Sequence, residues 1–260
     1  MNYLDVAIDI KFFPDILNGR GGEVEGMPIP ANWHADVAEW GATLRAVDLA
    51  GSTFTAIELG CGWGCWLNNA GSAARRLGKK THVIGIEADE GHLAFAREAL
   101  ATNGFQPSEI TLHRGIAAAR KGVALFPRQS QSGVNWGLEP VFGASRLQRF
   151  KALKNHSHDE VPMIPLATLA AGHQRIDLLH IDIQGGEADF VAGCLAEMKR
   201  KVAYVVIGTH SRQIEGRLLD TMLGPDWALE MERAAIVKVS DGRPHLQVDG
   251  VQGWRNLHLS

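Results

Sequence analysis

Ile57-Glu58-Leu59-Gly60-Cys61-Gly62-Trp63-Gly64 is the stretch on which the fold turns. It closes an apolar run that starts at Phe54, so the chain leaves a buried strand through an acid and enters glycines at every second position. Glycine there permits backbone angles closed to other residues and lets a ligand lie against the main chain. A strand that turns in this way into a helix opens a doubly wound sheet, in which ligands bind beyond the carboxyl ends of the strands.

Outward from this turn, short apolar runs alternate with helix-length periodic segments. Strands are expected at 54–59, 82–87, 110–114, 176–183 and 202–207. A helix over Val37, Trp40, Leu44 and Val47 precedes the first strand, one capped by Asp89 runs to Asn103-Gly104, one follows Gly186, and one spans 211–223 before Gly224-Pro225. Almost wholly apolar strands separated by helices imply parallel strands covered on both faces. The segments 229–239 and 245–248, parted by Asp241-Gly242, read as an antiparallel hairpin at the carboxyl-terminal edge. The expected class is therefore α/β, a doubly wound and mostly parallel sheet with that hairpin at one edge.

Residues 1–50 are expected to form an arm and a helix, and 51–260 the main domain. An insertion at about 118–162 lacks strict periodicity and is expected to act as a lid, since long loops in compact domains are mostly functional. At 260 residues a large core is available, roughly three quarters of the surface being buried on folding. A net charge of −3 speaks against nucleic acid as partner. The amino terminus shows no secretory pattern and no apolar run is long enough to span a bilayer. Cys61, Cys65 and Cys194 fit no disulfide or zinc pattern, so a reducing, cytoplasmic setting is expected, with the oligomeric state left open.

The residue that separates cofactors is Cys65. A dinucleotide fingerprint in this register needs a third glycine at that position. What stands instead is Glu58 before G-x-G-x-G, and a buried acid at a strand end is costly unless paired or aimed at a cation. Glu87 ends the second strand about where a carboxylate can take both hydroxyls of a ribose. S-adenosylmethionine carries an ammonium, a sulfonium and a ribose but no phosphate, and it fits this pattern. Glu58 and Glu87 are expected to bracket it.

The segment 57–64 resembles motif I of class I methyltransferases. Ile176-Asp177-Leu178-Leu179-His180-Ile181-Asp182-Ile183-Gln184-Gly185-Gly186-Glu187, with Ile207-Gly208-Thr209-His210-Ser211, is similar to the later motifs of the FkbM type. The family has Glu where this chain has Gln184, which leaves that position without an assigned catalytic role. The resemblance implies a Rossmann-like methyltransferase that binds S-adenosylmethionine, with Glu87 and Ala88 at the ribose. Gly60 and Gly62 would line the methionine portion, Gly115 and Ile116 would flank the adenine, Asp182 would sit near the methionine amine or the acceptor, and Cys61, Trp63 and Gly64 would be further cofactor-binding residues of the loop. It implies O-methylation of a sugar-like or polyketide-like hydroxyl, with N-methylation, or a silent binding module, as alternatives.

Removing a hydroxyl proton calls for a base, and His210 at the end of the fifth strand is the first candidate, Asp182 the second. His180 shares a face with Asp182 but is read as a core histidine. Asp182 and His210 could instead hold a divalent cation; no third ligand is evident, and no metal is predicted. Trp63 and Trp66 are read as cofactor shield or packing for the arm, and Trp33 and Trp136 as acceptor-pocket aromatics or core. The basic excess of the insertion, Arg120, Lys121, Arg128, Arg146, Arg149, Lys151 and Lys154, suits an anionic small-molecule acceptor or a solvated face.

Overall fold

The computed structural model describes residues 1–132 and 134–259, so Gly133 of the insertion and Ser260 lie outside the described residues. In chain order the elements are α1 (Pro14–Leu17), α2 (Val37–Leu49), β1 (Thr53–Leu59), α3 (Cys65–Arg76), β2 (Lys80–Glu87), α4 (Glu90–Thr102), β3 (Ile110–Arg114), β4 (Ile116–Ala118) and β5 (Gly122–Pro127). There follow α5 (Arg146–Lys154), β6 (His158–Pro165), α6 (Leu166–Leu169), β7 (Leu178–Ile181), α7 (Glu187–Lys201), β8 (Tyr204–Thr209) and α8 (Arg212–Met222). The last four are β9 (Trp227–Arg233), β10 (Ile236–Ser240), β11 (Arg243–Val248) and β12 (Gly250–Asn256).

Polar caps set where the helices begin, each satisfying backbone N–H groups that no helical carbonyl can reach. Asp36 accepts from Ala38 N at 2.8 Å and Glu39 N at 3.1 Å, Asp89 from His92 N at 2.8 Å, and Ser211 from Ile214 N at 3.1 Å. The seven-stranded sheet has the order β3-β2-β1-β7-β8-β12-β9. Its first five strands are parallel, and β12 runs antiparallel to both neighbours. Period-two alternation feeds two cores. Ile57, Leu59, Ile181 and Ile207 pack with Phe190, Val191 and Leu218 of α7 and α8, while Phe54, Ala56, Leu178 and Val206 pack with Ala42, Leu67 and Ala96 of α2, α3 and α4. This is the doubly wound, Rossmann-like sheet expected from the sequence.

The carboxyl-terminal edge is antiparallel, as read, but the run 229–239 is two strands. β9 ends at Arg233 in the main sheet, and β10 pairs with β11 in an exposed ribbon of its own. β12 has no counterpart in the sequence reading. Its Gly253 breaks the apolar pattern for a steric reason: a Cβ there would stand 2.7 Å from Cβ of Ala42 on α2.

The insertion is more regular than its sequence suggests. β6 lies between β4, which it pairs in parallel, and β5, which it pairs antiparallel from Gly122↔Met163 to Pro127↔His158, with α5 in the connection. Much of this small sheet is exposed or half-buried, so alternation is blurred in the sequence. The amino-terminal arm is anchored at buried points: Asn2 donates to Asn69 Oδ1 at 2.7 Å, and Ala7 N to Asn103 Oδ1 at 2.7 Å. Among the described residues no helix is long and apolar enough to cross a membrane.

Candidate functional site

Strand order reverses between β1 and β7, and a cavity of about 860 Å³ opens beyond their carboxyl ends. Of the residues singled out in the sequence, Glu58, Gly60, Cys61, Gly62, Trp63, Glu87, Ala88, Gly115, Ile116, Asp182 and His210 all border it. Gly64 does not. It sits behind the loop as the left-handed N-cap of α3, at φ 76°, packed against Ala96.

The glycines are there because backbones come close. A Cβ on Gly60, at φ 70°, would fall 2.1 Å from the carbonyl oxygen of Asp182, and one on Gly62 would stand 2.7 Å from the Trp136 ring. Glu58 borders the cavity and also has a partner that the sequence reading did not foresee: its oxygens accept from Trp66 N at 3.2 Å and Leu67 N at 3.1 Å in the first turn of α3. Burial pushes its carboxyl up to about 7, against the opposing effects of His180 and the two N–H groups.

Glu87 accepts from Gly62 N at 2.9 Å on one oxygen and from Asp89 N at 2.8 Å on the other. Burial again raises the carboxyl to about 7, opposed by these bonds. Each oxygen keeps a lone pair, so the carboxylate can take two hydroxyls of a ribose at the cavity wall.

On the opposite side, His210 lies between two carboxylates. Nε2 is 3.3 Å from Asp182 Oδ1 and Nδ1 is 3.0 Å from Glu187 Oε1. Burial would lower the imidazole pKa, but bonding to both acids lifts it to about 10. Asp182 is drawn the other way: burial would raise it, yet the hydrogen bond and charge of His210 hold it below the usual carboxylate range. His210 thus has a carboxylate at each ring nitrogen, an arrangement that favours its protonated form. The Asp182 side chain is 44% exposed and opens to the cavity.

Glu187 is the residue that sequence reasoning missed here. In the sequence it stands only as the last residue of the segment similar to the FkbM motif. In the structure it is fully buried, and Oε1 also accepts from Ile183 N at 3.1 Å and Gly185 N at 3.0 Å, binding the turn at Gln184 and Gly185 to His210. Among the described residues, Asp182, Glu187 and His210 are the set whose ligand atoms lie within 4.8 Å of one another, which supplies the third candidate metal ligand absent from the sequence reading. Both nitrogens of His210 face an acid in this arrangement.

The remaining walls come from distant segments. Trp136 of the insertion is stacked between Phe13 of the arm, at 5.2 Å, and His92 of α4, at 3.9 Å. Trp33 and Trp136 both border the cavity, as the acceptor-pocket reading of them requires. His180 is buried and bonds Glu39 of α2 at 3.0 Å while stacking on Trp66. Arg233, paired with Asp36, and Asp249 reach the cavity from the edge strands. None of the seven basic residues of the insertion borders it; Arg128 pairs with Asp159 and Arg149 with Glu160 on the outer face. The basic residue that does border the cavity is Arg233, from the edge strand β9.

The family model described as the methyltransferase FkbM domain matches residues 49–234. A protein of Jannaschia sp. (strain CCS1), provisionally named as a methyltransferase, is 46% identical over 255 residues, covering 98% of this chain and 91% of its own. Among solved structures, a methyltransferase FkbM from Methylobacillus flagellatus KT overlaps 79% of this chain and 45% of its own at 14% identity and a TM-score of 0.49. A ribosomal protein L11 methylase from Lactobacillus delbrueckii subsp. bulgaricus overlaps 84% and 78% at 12% identity and a TM-score of 0.44.

Proposed function

The chain belongs to the FkbM-domain methyltransferases and is an S-adenosylmethionine-dependent enzyme, and from that premise we propose that it methylates a hydroxyl of a neutral small molecule, with Asp182 as proton acceptor. The observation that carries this reading is the open carboxylate of Asp182, held by the His210–Glu187 pair at the carboxyl end of β7, where β1 and β7 face one cavity.

When bound, S-adenosylmethionine supplies a methyl group on a sulfonium, an electrophile that needs only an aligned nucleophile. Glu87 would hold the ribose, and the methionine portion would lie along Gly60 and Gly62, which border the cavity. Asp182 accepts a hydrogen bond from the acceptor hydroxyl and takes its proton as the new C–O bond forms. A carboxylate held this low is a weak base, but a hydroxyl becomes strongly acidic once its oxygen begins to bond carbon, so late transfer suffices. His210, as imidazolium, fixes Asp182 and offsets its charge, and Glu187 fixes His210. Trp33 and Trp136 give an apolar wall that keeps water from the line of attack.

The same acid-lined cavity, with Asp249 and Glu39 beside Asp182, would also receive an amine, which is the second reading. A panel of neutral polyols, phenols and amines, incubated with donor carrying a ¹³C methyl, separates the two. A product methyl at the shift of an ether supports hydroxyl transfer, and one at the shift of a methylamine replaces it.

A further inference from the structure

Helix α5 of the insertion is turned inside out. A helix laid against a sheet normally directs its apolar stripe inward. Here Leu147, Phe150 and Leu153, spaced three apart along one face, are 62%, 62% and 38% exposed. The half-buried residues of the helix are Arg149 and Ala152, and Arg149 pairs at 2.9 Å with Glu160 of β6. No residue of α5 is buried, and Val141 and Phe142, just ahead of its cap Ser145, are exposed as well. Single apolar side chains on a surface are ordinary, whereas a group of them marks a contact.

The surroundings of this stripe are basic. Arg146, Lys151 and Lys154 flank it, and the helix contains no acid. Asp159 is taken by Arg114 and Arg128, Glu160 is taken by Arg149, and among the described residues the three flanking bases have no acid within ion-pair distance. Lys151 and Lys154 suit the carboxyl end of a helix, which accounts for charge there but not for exposed Leu and Phe. Nothing in α5 borders the cavity, so neither donor nor acceptor explains it. A nucleic acid would meet the bases and leave the aliphatic side chains in water. An anionic lipid surface meets both: its phosphates take the bases, whose long stems let the charges reach outward, and the boundary of its acyl region takes the stripe.

We propose that α5 docks the chain on an anionic lipid bilayer, with Leu147, Phe150 and Leu153 in the headgroup boundary and Arg146, Lys151 and Lys154 on the lipid phosphates. Lying on a surface needs no spanning segment. Phe142, three residues before the cap, borders the cavity, so the docked face adjoins its rim. This goes beyond the transfer reaction and stands without it.

Co-sedimentation of the full chain with two kinds of vesicle tests it, phosphatidylcholine alone and an equal mixture with phosphatidylglycerol. The wild type should bind the mixed vesicles and not phosphatidylcholine, and binding should weaken as salt rises. Each base near an anionic surface is worth about fivefold, so Arg146→Gln, Lys151→Gln and Lys154→Gln together should lose on the order of a hundredfold. Leu147→Ser with Phe150→Ser keeps the charge and should lose roughly tenfold or more. All five positions are exposed, so both variants should keep the wild-type Tm. No binding of the wild type to mixed vesicles, equal binding to both kinds, or undiminished binding by the serine variant overturns the proposal. So does a wild-type dimer in analytical ultracentrifugation that the serine variant dissociates, which would give the stripe to a second copy of the chain.

Discussion

The two sides of the cavity use the same kind of residue to opposite ends. At β1 and β2, Glu58 and Glu87 are buried, bonded to backbone N–H groups, and raised to about 7. At β7 and β8, Asp182 is held low by a histidine lifted to about 10. The difference lies in the partner. Neutral N–H dipoles only partly offset desolvation, whereas an imidazolium carries a full charge. The first side is suited to polar recognition of a ligand whose hydroxyls complete its hydrogen bonding, and the second to keeping one carboxylate ionised and ready for a proton.

The largest break of this contrast should come from Asp182→Asn. It keeps the shape and removes the charge, and transfer should fall by roughly 10²–10⁴, the span of general-base catalysis. Next, Glu87→Gln should cost roughly tenfold in S-adenosylhomocysteine affinity, read by calorimetry, while the rate at saturating donor changes far less. Glu87 also gives a pH signature. Hydroxyl donors favour its ionised form, so wild-type affinity should rise with pH up to about 7 and level off above it, a slope that Glu87→Gln removes.

His210 gives the matching signature in stability. Its folded-state pKa is raised above the unfolded value, so the stabilisation is fully present below about 6.5 and is lost as pH climbs toward about 10. The wild-type Tm should therefore fall over that interval, and His210→Gln should show a lower Tm at pH 6 with a flatter alkaline slope. The smallest effect belongs to Gly64→Ala, which strains a left-handed N-cap outside the cavity wall. It should cost about 1–2 kcal/mol of stability and leave ligand affinity unchanged.

What the sequence revealed follows from how local each signal is. The strands of the parallel sheet were readable because both faces are buried, and the cap Asp89 because one side chain meets one N–H three residues on. The glycine loop, Glu87 and Asp182 were readable because spacing along a strand-turn-helix fixes them. Glu187 was not. It owes its role to His210, 23 residues away. The two acids that flank His210 were hidden for the same reason, since Asp182 just after β7 and Glu187 of α7 converge on it only in three dimensions. β12 was hidden by Gly253, whose place in the strand depends on the proximity of α2.

The most direct measurement is a single-turnover assay of labelled methyl transfer by Asp182→Asn, run beside S-adenosylhomocysteine calorimetry on the same preparation, with the acceptor identified by the panel. The expected result is near wild-type affinity with transfer reduced at least a hundredfold. Transfer at close to the wild-type rate, or a loss of affinity large enough to explain the loss of transfer, would contradict the assignment of Asp182 as the group that receives the proton.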